Sequence, residues 1–183
     1  MRTFIALELP EEIKEQLSRI CSRLQAHNLR NINWVARENL HITLLFIGDI
    51  NHVQQKEISR LISEMMTDMD APVFCEPALK LMPQAKPHLL WMEYQAQTAN
   101  LGYRQWQLRK QISEIVPGLD TKKLRYHVTL GRIKGQLTSL FIEEVLNLRI
   151  PSLNFKSSII TLYQSILRLQ GPEYIALDNF LLN

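Results

Sequence analysis

Short apolar runs alternate along this chain with longer stretches in which apolar residues recur every three or four positions. Residues 3–8 (Thr-Phe-Ile-Ala-Leu-Glu) read as a buried strand. Pro10-Glu11-Glu12 then opens a helix. Proline suits the first turn, where its missing N–H costs nothing, and the two carboxylates meet the positive end of the helix dipole. Ile13, Leu17, Ile20, Cys21 and Leu24 give that helix one apolar face. Trp34-Val35 is a candidate short strand. Residues 41–48 (His-Ile-Thr-Leu-Leu-Phe-Ile-Gly) form a better one, ended by Gly48-Asp49. Ile58, Leu61, Ile62, Met65 and Met69 mark a second helix. Residues 73–76 and 79–82 read as two short strands, and 89–94 as a third. A helix is expected over 98–116, with Leu101, Leu108, Ile112 and Ile115 inward and Pro117-Gly118 as its stop. Residues 127–133 are again a strand, and 137–148 a fourth helix. Residues 159–169 and 173–177 form a hairpin with Gly171-Pro172 in its turn.

The pattern repeats. His41-Ile-Thr-Leu and His127-Val-Thr-Leu stand 86 residues apart, close to half of the 183-residue chain. Each follows a strand and a helix, and each precedes a helix. Phe4 lies 37 residues before His41, and Trp91 lies 36 before His127. Two copies of one β-α-β unit account for this. A pseudo-twofold arrangement would bring the copies face to face across a cleft. The expected class is α+β, with two sheets in two lobes within one domain, residues 1–183.

Composition changes this picture little. Hydrophobic residues make up 46% and charged ones 21%, the balance of an ordinary globular protein rather than a disordered one. No apolar run approaches the roughly 18 residues of a membrane span, and the start of the chain lacks a secretory pattern. A cytoplasmic protein is expected, without membrane partners. Cys21 and Cys75 are distant in sequence and read as small buried hydrophobes. A net charge of +3 permits an anionic ligand but lacks the basic runs of a chromatin protein.

Candidate chemistry sits in the repeat. On a strand, residues i and i+2 share a face. His41 and Thr43 therefore point one way, and Ile42 and Leu44 point to the core. The same holds for His127 and Thr129 against Val128 and Leu130. Two His-x-Thr among five histidines would arise by accident about 2% of the time. Two imidazoles near neutral proton affinity can act as general acid and general base in one reaction. Two threonine hydroxyls can donate to phosphoryl oxygens. Arg125 and Arg132 flank the second histidine and suit phosphate through their planar forks. His27, His52 and His88 receive no role. Neither His-x-Thr carries the partners of a zinc site, so no metal or other cofactor is expected.

At these residues the sequence resembles the 2H phosphoesterases, and among them the bacterial and archaeal RNA 2′,3′-cyclic phosphodiesterases, also called 2′-5′ RNA ligases. The resemblance runs from Phe4–Pro10 and Trp34-Val35 through residues 39–48 and 125–132 to Tyr163–Leu167 and Gly171–Tyr174. Tyr126 stands where the family often has Pro, and Leu45 where a Lys is common. The resemblance implies two pseudo-symmetric lobes, each an antiparallel sheet with helices on its outer face, around a central cleft. It implies RNA or a nucleotide ending in a 2′,3′-cyclic phosphate as substrate. His41 would be the proton donor and His127 the acceptor, with Thr43, Thr129, Arg132 and Arg125 on the phosphate. The product would be a 2′-phosphomonoester, and the reverse reaction a 2′-5′ ligation. Two alternatives stay open: a nucleotide- or RNA-binding module using the same cleft, and a phosphodiesterase for another small cyclic phosphate. A monomer is expected.

Overall fold

A computed structural model of the chain describes residues 1–27, 30–97, 100–119, 124–168 and 171–183. Within these, nine strands and four helices follow one another as β1 (Arg2–Glu8), α1 (Glu11–Gln25), β2 (Ile32–Trp34), β3 (His41–Asp49), α2 (His52–Met66), β4 (Val73–Met82), β5 (Leu89–Ala96), α3 (Leu101–Ile115), β6 (His127–Ile133), α4 (Ser139–Asn147), β7 (Phe155–Lys156), β8 (Ile159–Arg168) and β9 (Gly171–Leu181).

All nine strands belong to one antiparallel sheet, in the order β7-β4-β5-β6-β3-β1-β8-β9, with β2 paired to β6. The two sheets expected from the sequence are therefore two halves of one. They meet at a single residue pair, Ile42 opposite Val128. Beyond that pair, β6 turns to β2, with Trp34 opposite Gly131 and Ile32 opposite Ile133. The halves correspond strand for strand: β3-β1-β8 in one, β6-β5-β4 in the other.

One face of this sheet is the core. Ile5 and Leu7 on β1, Ile42 and Leu44 on β3, Leu90 and Met92 on β5, and Val128 and Leu130 on β6 are all buried. They share one apolar cluster with Leu17 and Leu24 of α1, Ile58 and Ile62 of α2, Leu108 and Ile112 of α3, and Phe141 and Val145 of α4. Each such side chain contributes roughly 1.5–3 kcal/mol by leaving water. The helices pack in pairs, α1 with α4 and α2 with α3. Asn51 caps α2: its side chain accepts from Gln54 N, and the Gln54 side chain reaches back to Asn51 N. Thr138 caps α4 by accepting from Phe141 N.

Several sequence expectations are corrected. Residues 73–76 and 79–82 are one strand, not two. Glu76 takes a left-handed conformation (φ 52°), and the pairing with β5 skips between Cys75 and Ala78, so the chain bulges without leaving the sheet. Gly171-Pro172 lies in β9 rather than in the turn, opposite Arg168 and Leu167. Residues 169 and 170, between the strands, lie outside the described residues, as do 98 and 99 at the expected start of α3. Leu45 is buried in the core. Tyr126 packs edge-on against Phe74, with ring centroids 5.6 Å apart. Cys21 and Cys75 are buried free thiols, and burial pushes the Cys21 thiol up to about 12. No helix among the described residues is long and apolar enough to cross a membrane.

Gly131 is required by packing. A Cβ built there would lie 2.9 Å from Ile32 Cγ2, closer than real side chains approach. Ile32 is itself buried and cannot swing away. Gly131→Ala should lose about 1–3 kcal/mol in denaturant unfolding, as overpacked cores do. An unchanged midpoint would show that β2 yields freely.

Candidate functional site

The face of β3 and β6 opposite the core carries His41, Thr43, His127 and Thr129. Ile42 and Val128 are paired and both point into the core. Their neighbours must all emerge on the other side. Continuing that register sets His41 across from Thr129, and Thr43 across from His127. The sequence-predicted quartet thus gathers at the joint between the halves.

Each imidazole is held the same way. His41 Nδ1 is 2.7 Å from the Asn39 carbonyl, and its Nε2 is 3.0 Å from Thr43 Oγ1. His127 Nδ1 is 2.9 Å from the Arg125 carbonyl. A carbonyl can only accept, so Nδ1 carries the hydrogen in both rings. Nε2 is left as the nitrogen that accepts a proton when neutral and donates one when charged.

Around His41 the site is aromatic. The Phe4 ring lies 5.0 Å away, and Tyr174 meets His41 edge-on at 5.4 Å. Phe4 also stacks on Tyr163 at 5.2 Å. Around His127 the neighbour is Trp91, with ring centroids only 4.0 Å apart. The Arg125 guanidinium lies 6.0 Å from the Trp91 ring centre and 3.9 Å from Glu93.

Arg132 reaches the site by an irregularity. Strict alternation from His127 would put residue 131 on the histidine face and 132 on the core face. The β5–β6 pairing skips between Leu90 and Trp91, leaving Leu130 unmatched. The pleat reverses there. Gly131 turns to Ile32, and Arg132 emerges exposed on the open side. Its charge acts on both His41 and Tyr174 across the joint.

Burial pushes the proton affinity of both imidazoles below the usual value. For His41, the Asn39 hydrogen bond and Glu8 oppose the shift, while His127 and Arg132 add to it. For His127, the Arg125 carbonyl and Glu93 oppose it, and the Arg125 charge adds to it. Burial, and for Tyr163 its bond to Glu8, raises the phenols of Tyr163 and Tyr174. The other histidines are elsewhere. His27 bonds Glu144 beyond the end of α1, His52 opens α2, and His88 is exposed before β5. Among the described residues, no three His, Cys, Asp or Glu side chains converge to hold a metal ion.

The site contains residues to which the sequence assigned no role: Phe4, Tyr163 and Tyr174, and Trp91, Glu8 and Glu93. Phe4 read as part of a buried strand, and it is buried, at 3% exposed, but among the aromatic rings on the histidine face rather than in the core cluster. Period-two alternation of Phe4, Ala6 and Glu8 on a strand paired to His41 was the available signal.

Comparisons with known proteins agree with this architecture. The family model described as LigT-like phosphoesterase matches residues 7–72. An RNA 2′,3′-cyclic phosphodiesterase of Thermotoga maritima is 27% identical over 177 residues, covering 95% of this chain and 91% of that protein. The protein of the same name from Methanocaldococcus jannaschii is 27% identical over 196 residues, covering 95% and 96%. The crystal structure of TT0787 of Thermus thermophilus superimposes with a TM-score of 0.80 at 23% identity, over 100% of this chain and 98% of that one. That of E. coli LigT complexed with 3′-AMP gives 0.74 at 22%, over 99% and 97%. The matched segment, relatives that span nearly the full length and the shared sheet all make the chain similar to the LigT-like phosphoesterases.

Proposed function

We propose that the protein hydrolyses the 2′,3′-cyclic phosphate of RNA or a nucleotide to a 2′-phosphomonoester, with His41 and His127 as acid and base. The observation that carries this is the pair of Nε2 atoms, each with Nδ1 fixed on a backbone carbonyl, on one face of two adjacent strands. The relatives named RNA 2′,3′-cyclic phosphodiesterase support the substrate class.

In the proposed step, neutral His127 Nε2 takes a proton from water as its oxygen bonds to phosphorus. The phosphorus–O3′ bond breaks, and protonated His41 delivers its Nε2 proton to the departing O3′. The histidines finish with exchanged protonation states, and solvent restores them. The five-membered ring is strained, which makes its phosphorus reactive. Thr43 and Thr129 hydroxyls hold the non-bridging oxygens, and Arg132 and Arg125 offset their charge. Reversal with a 5′-hydroxyl in place of water would form a 2′-5′ linkage. Water at about 55 M favours hydrolysis unless a second RNA end is well placed.

The test is turnover of the four nucleoside 2′,3′-cyclic phosphates and a short RNA ending in one, in EDTA. Formation of 2′-phosphate supports the reading. Tight binding without turnover would make the chain a nucleotide-binding module, and turnover only of a different cyclic phosphate would change the substrate.

The pH profile has a definite sign. One imidazole must be protonated and the other neutral, so kcat/KM should be bell-shaped. The centre of the bell is the mean of the two values, whichever residue is the acid. Both are lowered from 6.5, chiefly by burial, so the free-enzyme optimum should lie on the acid side of 6.5. An optimum above about pH 7.5 would contradict this assignment.

A further inference from the structure

Each histidine of the site has a carboxylate directly across the neighbouring strand. Glu8 on β1 is opposite His41 on β3, and Glu93 on β5 is opposite His127 on β6. Side chains so opposed share a face, with Cβ atoms about 4.5–5.5 Å apart. The surroundings of the two carboxylates also match. Glu8 pairs through Oε2 with Lys14 of α1 at 3.7 Å and accepts at Oε1 from the Tyr163 hydroxyl. Glu93 pairs through Oε2 with Lys80 of β4 and through Oε1 with Arg125 at 3.9 Å. Both carboxylates are about one-fifth exposed (20% and 23%) and fixed from two sides, so neither can swing into water without breaking contacts.

We propose that Glu8 and Glu93 are paired positioning residues, each favouring the charged form of the imidazole opposite it: Glu8 the proton that His41 delivers, and Glu93 the proton that His127 accepts. The proposal rests on the two-histidine reading above and extends it outward by one strand in each half. Physically, the histidines sit where burial disfavours their charged form, and a reaction that needs one of them charged requires a nearby negative group. A carboxylate in direct contact with Nε2 would compete for the phosphate's place. One on the adjacent strand supplies the field and leaves Nε2 free.

Other charged or titratable groups face these rings. His41 meets His127 and Arg132 from β6, Tyr163 from β8 and Tyr174 from β9, with Lys14 behind Glu8. His127 meets Arg125, with Lys80 behind Glu93. Every cation in this set works against the proton. Among the described residues, Glu8 and Glu93 are the anions that act on the two rings.

The experiment is an NMR titration of each imidazole in the free protein, for wild type, Glu8→Gln and Glu93→Gln. Glu8→Gln should weaken proton binding at His41 by on the order of threefold to tenfold and leave His127 nearly unchanged; Glu93→Gln should do the converse. Lys80→Gln, at an outer position that threatens the fold less, should strengthen proton binding at His127, and Glu8→Asp should restore His41. In pH–rate profiles, Glu8→Gln should draw in the alkaline limb and Glu93→Gln should extend the acid limb. Folded variants whose imidazole titrations do not move would overturn the proposal. Shifted titrations in a protein without turnover would uphold it and overturn the proposed hydrolysis instead.

Discussion

His41→Ala should abolish nearly all turnover while leaving a folded protein. General acid–base catalysis contributes typically 10²–10⁴-fold per group, so kcat should fall by at least a hundredfold. The fold should survive because His41 stands on the open face of β3. The core side of that strand is carried by Ile42 and Leu44, which the substitution does not touch. Loss of the ring removes contacts with Phe4 and Tyr174 but buries no new polar group. The same reasoning applies to His127→Ala, where Trp91 loses its 4.0 Å neighbour. The double variant should be little worse than either single one, because in the proposed mechanism the two rings act in one step. Steady-state kinetics on a cyclic phosphate, with unfolding curves beside them, make the check. Full activity in either variant would remove that histidine from the mechanism.

Phe4→Ala should produce the largest loss of stability at a single position in the site. The ring is almost wholly buried and touches His41, Phe46, Tyr163 and Tyr174. Buried Phe→Ala changes cost about 3–5 kcal/mol, from lost transfer energy and the cavity left behind. Here the neighbours are strand residues fixed by hydrogen bonds on both sides of β1, so collapse into the gap is limited. Activity should fall as well, because the His41 ring loses the surface it packs against. Phe4→Leu separates the two effects: most of the volume returns, and with it most of the stability. Denaturant unfolding and kcat, measured on both variants, test this. A Phe4→Ala protein within about 1 kcal/mol of wild type would mean that the aromatic cluster is loosely packed.

Much of this arrangement is legible in the sequence for a definite reason. A strand reports its two faces by alternation, so His41-Ile-Thr-Leu and His127-Val-Thr-Leu announce both the core side and the open side. β6 runs over 127–133 as the alternation predicts. What is less legible depends on pairing between distant segments. Glu8 looks like the polar end of a strand until β1 is set against β3. Phe4, Tyr163 and Tyr174 come from three strands and become one cluster only in the folded sheet. The arginine is hidden by local irregularity. A single skipped pair at Leu130 puts Arg132 on the face that simple alternation denies it. The bulge at Glu76 similarly makes one strand look like two. Alternation carries no signal of where it will slip.

The chain's route through the sheet has a consequence for how the molecule comes apart. β2, from the first quarter of the sequence, is paired to β6 in the second half. β8, from the last quarter, returns to lie against β1. α3 donates from Gln105 to the Leu44 carbonyl of β3, back in the first half. A cut between α2 and β4 would leave β1 without its outer neighbour and β6 without its cap. The repeat visible in the sequence is therefore interlaced rather than strung in series, and neither copy has a boundary at which it could melt alone. Unfolding should be a single cooperative event, and proteolysis should yield intact chain or small peptides rather than two stable halves.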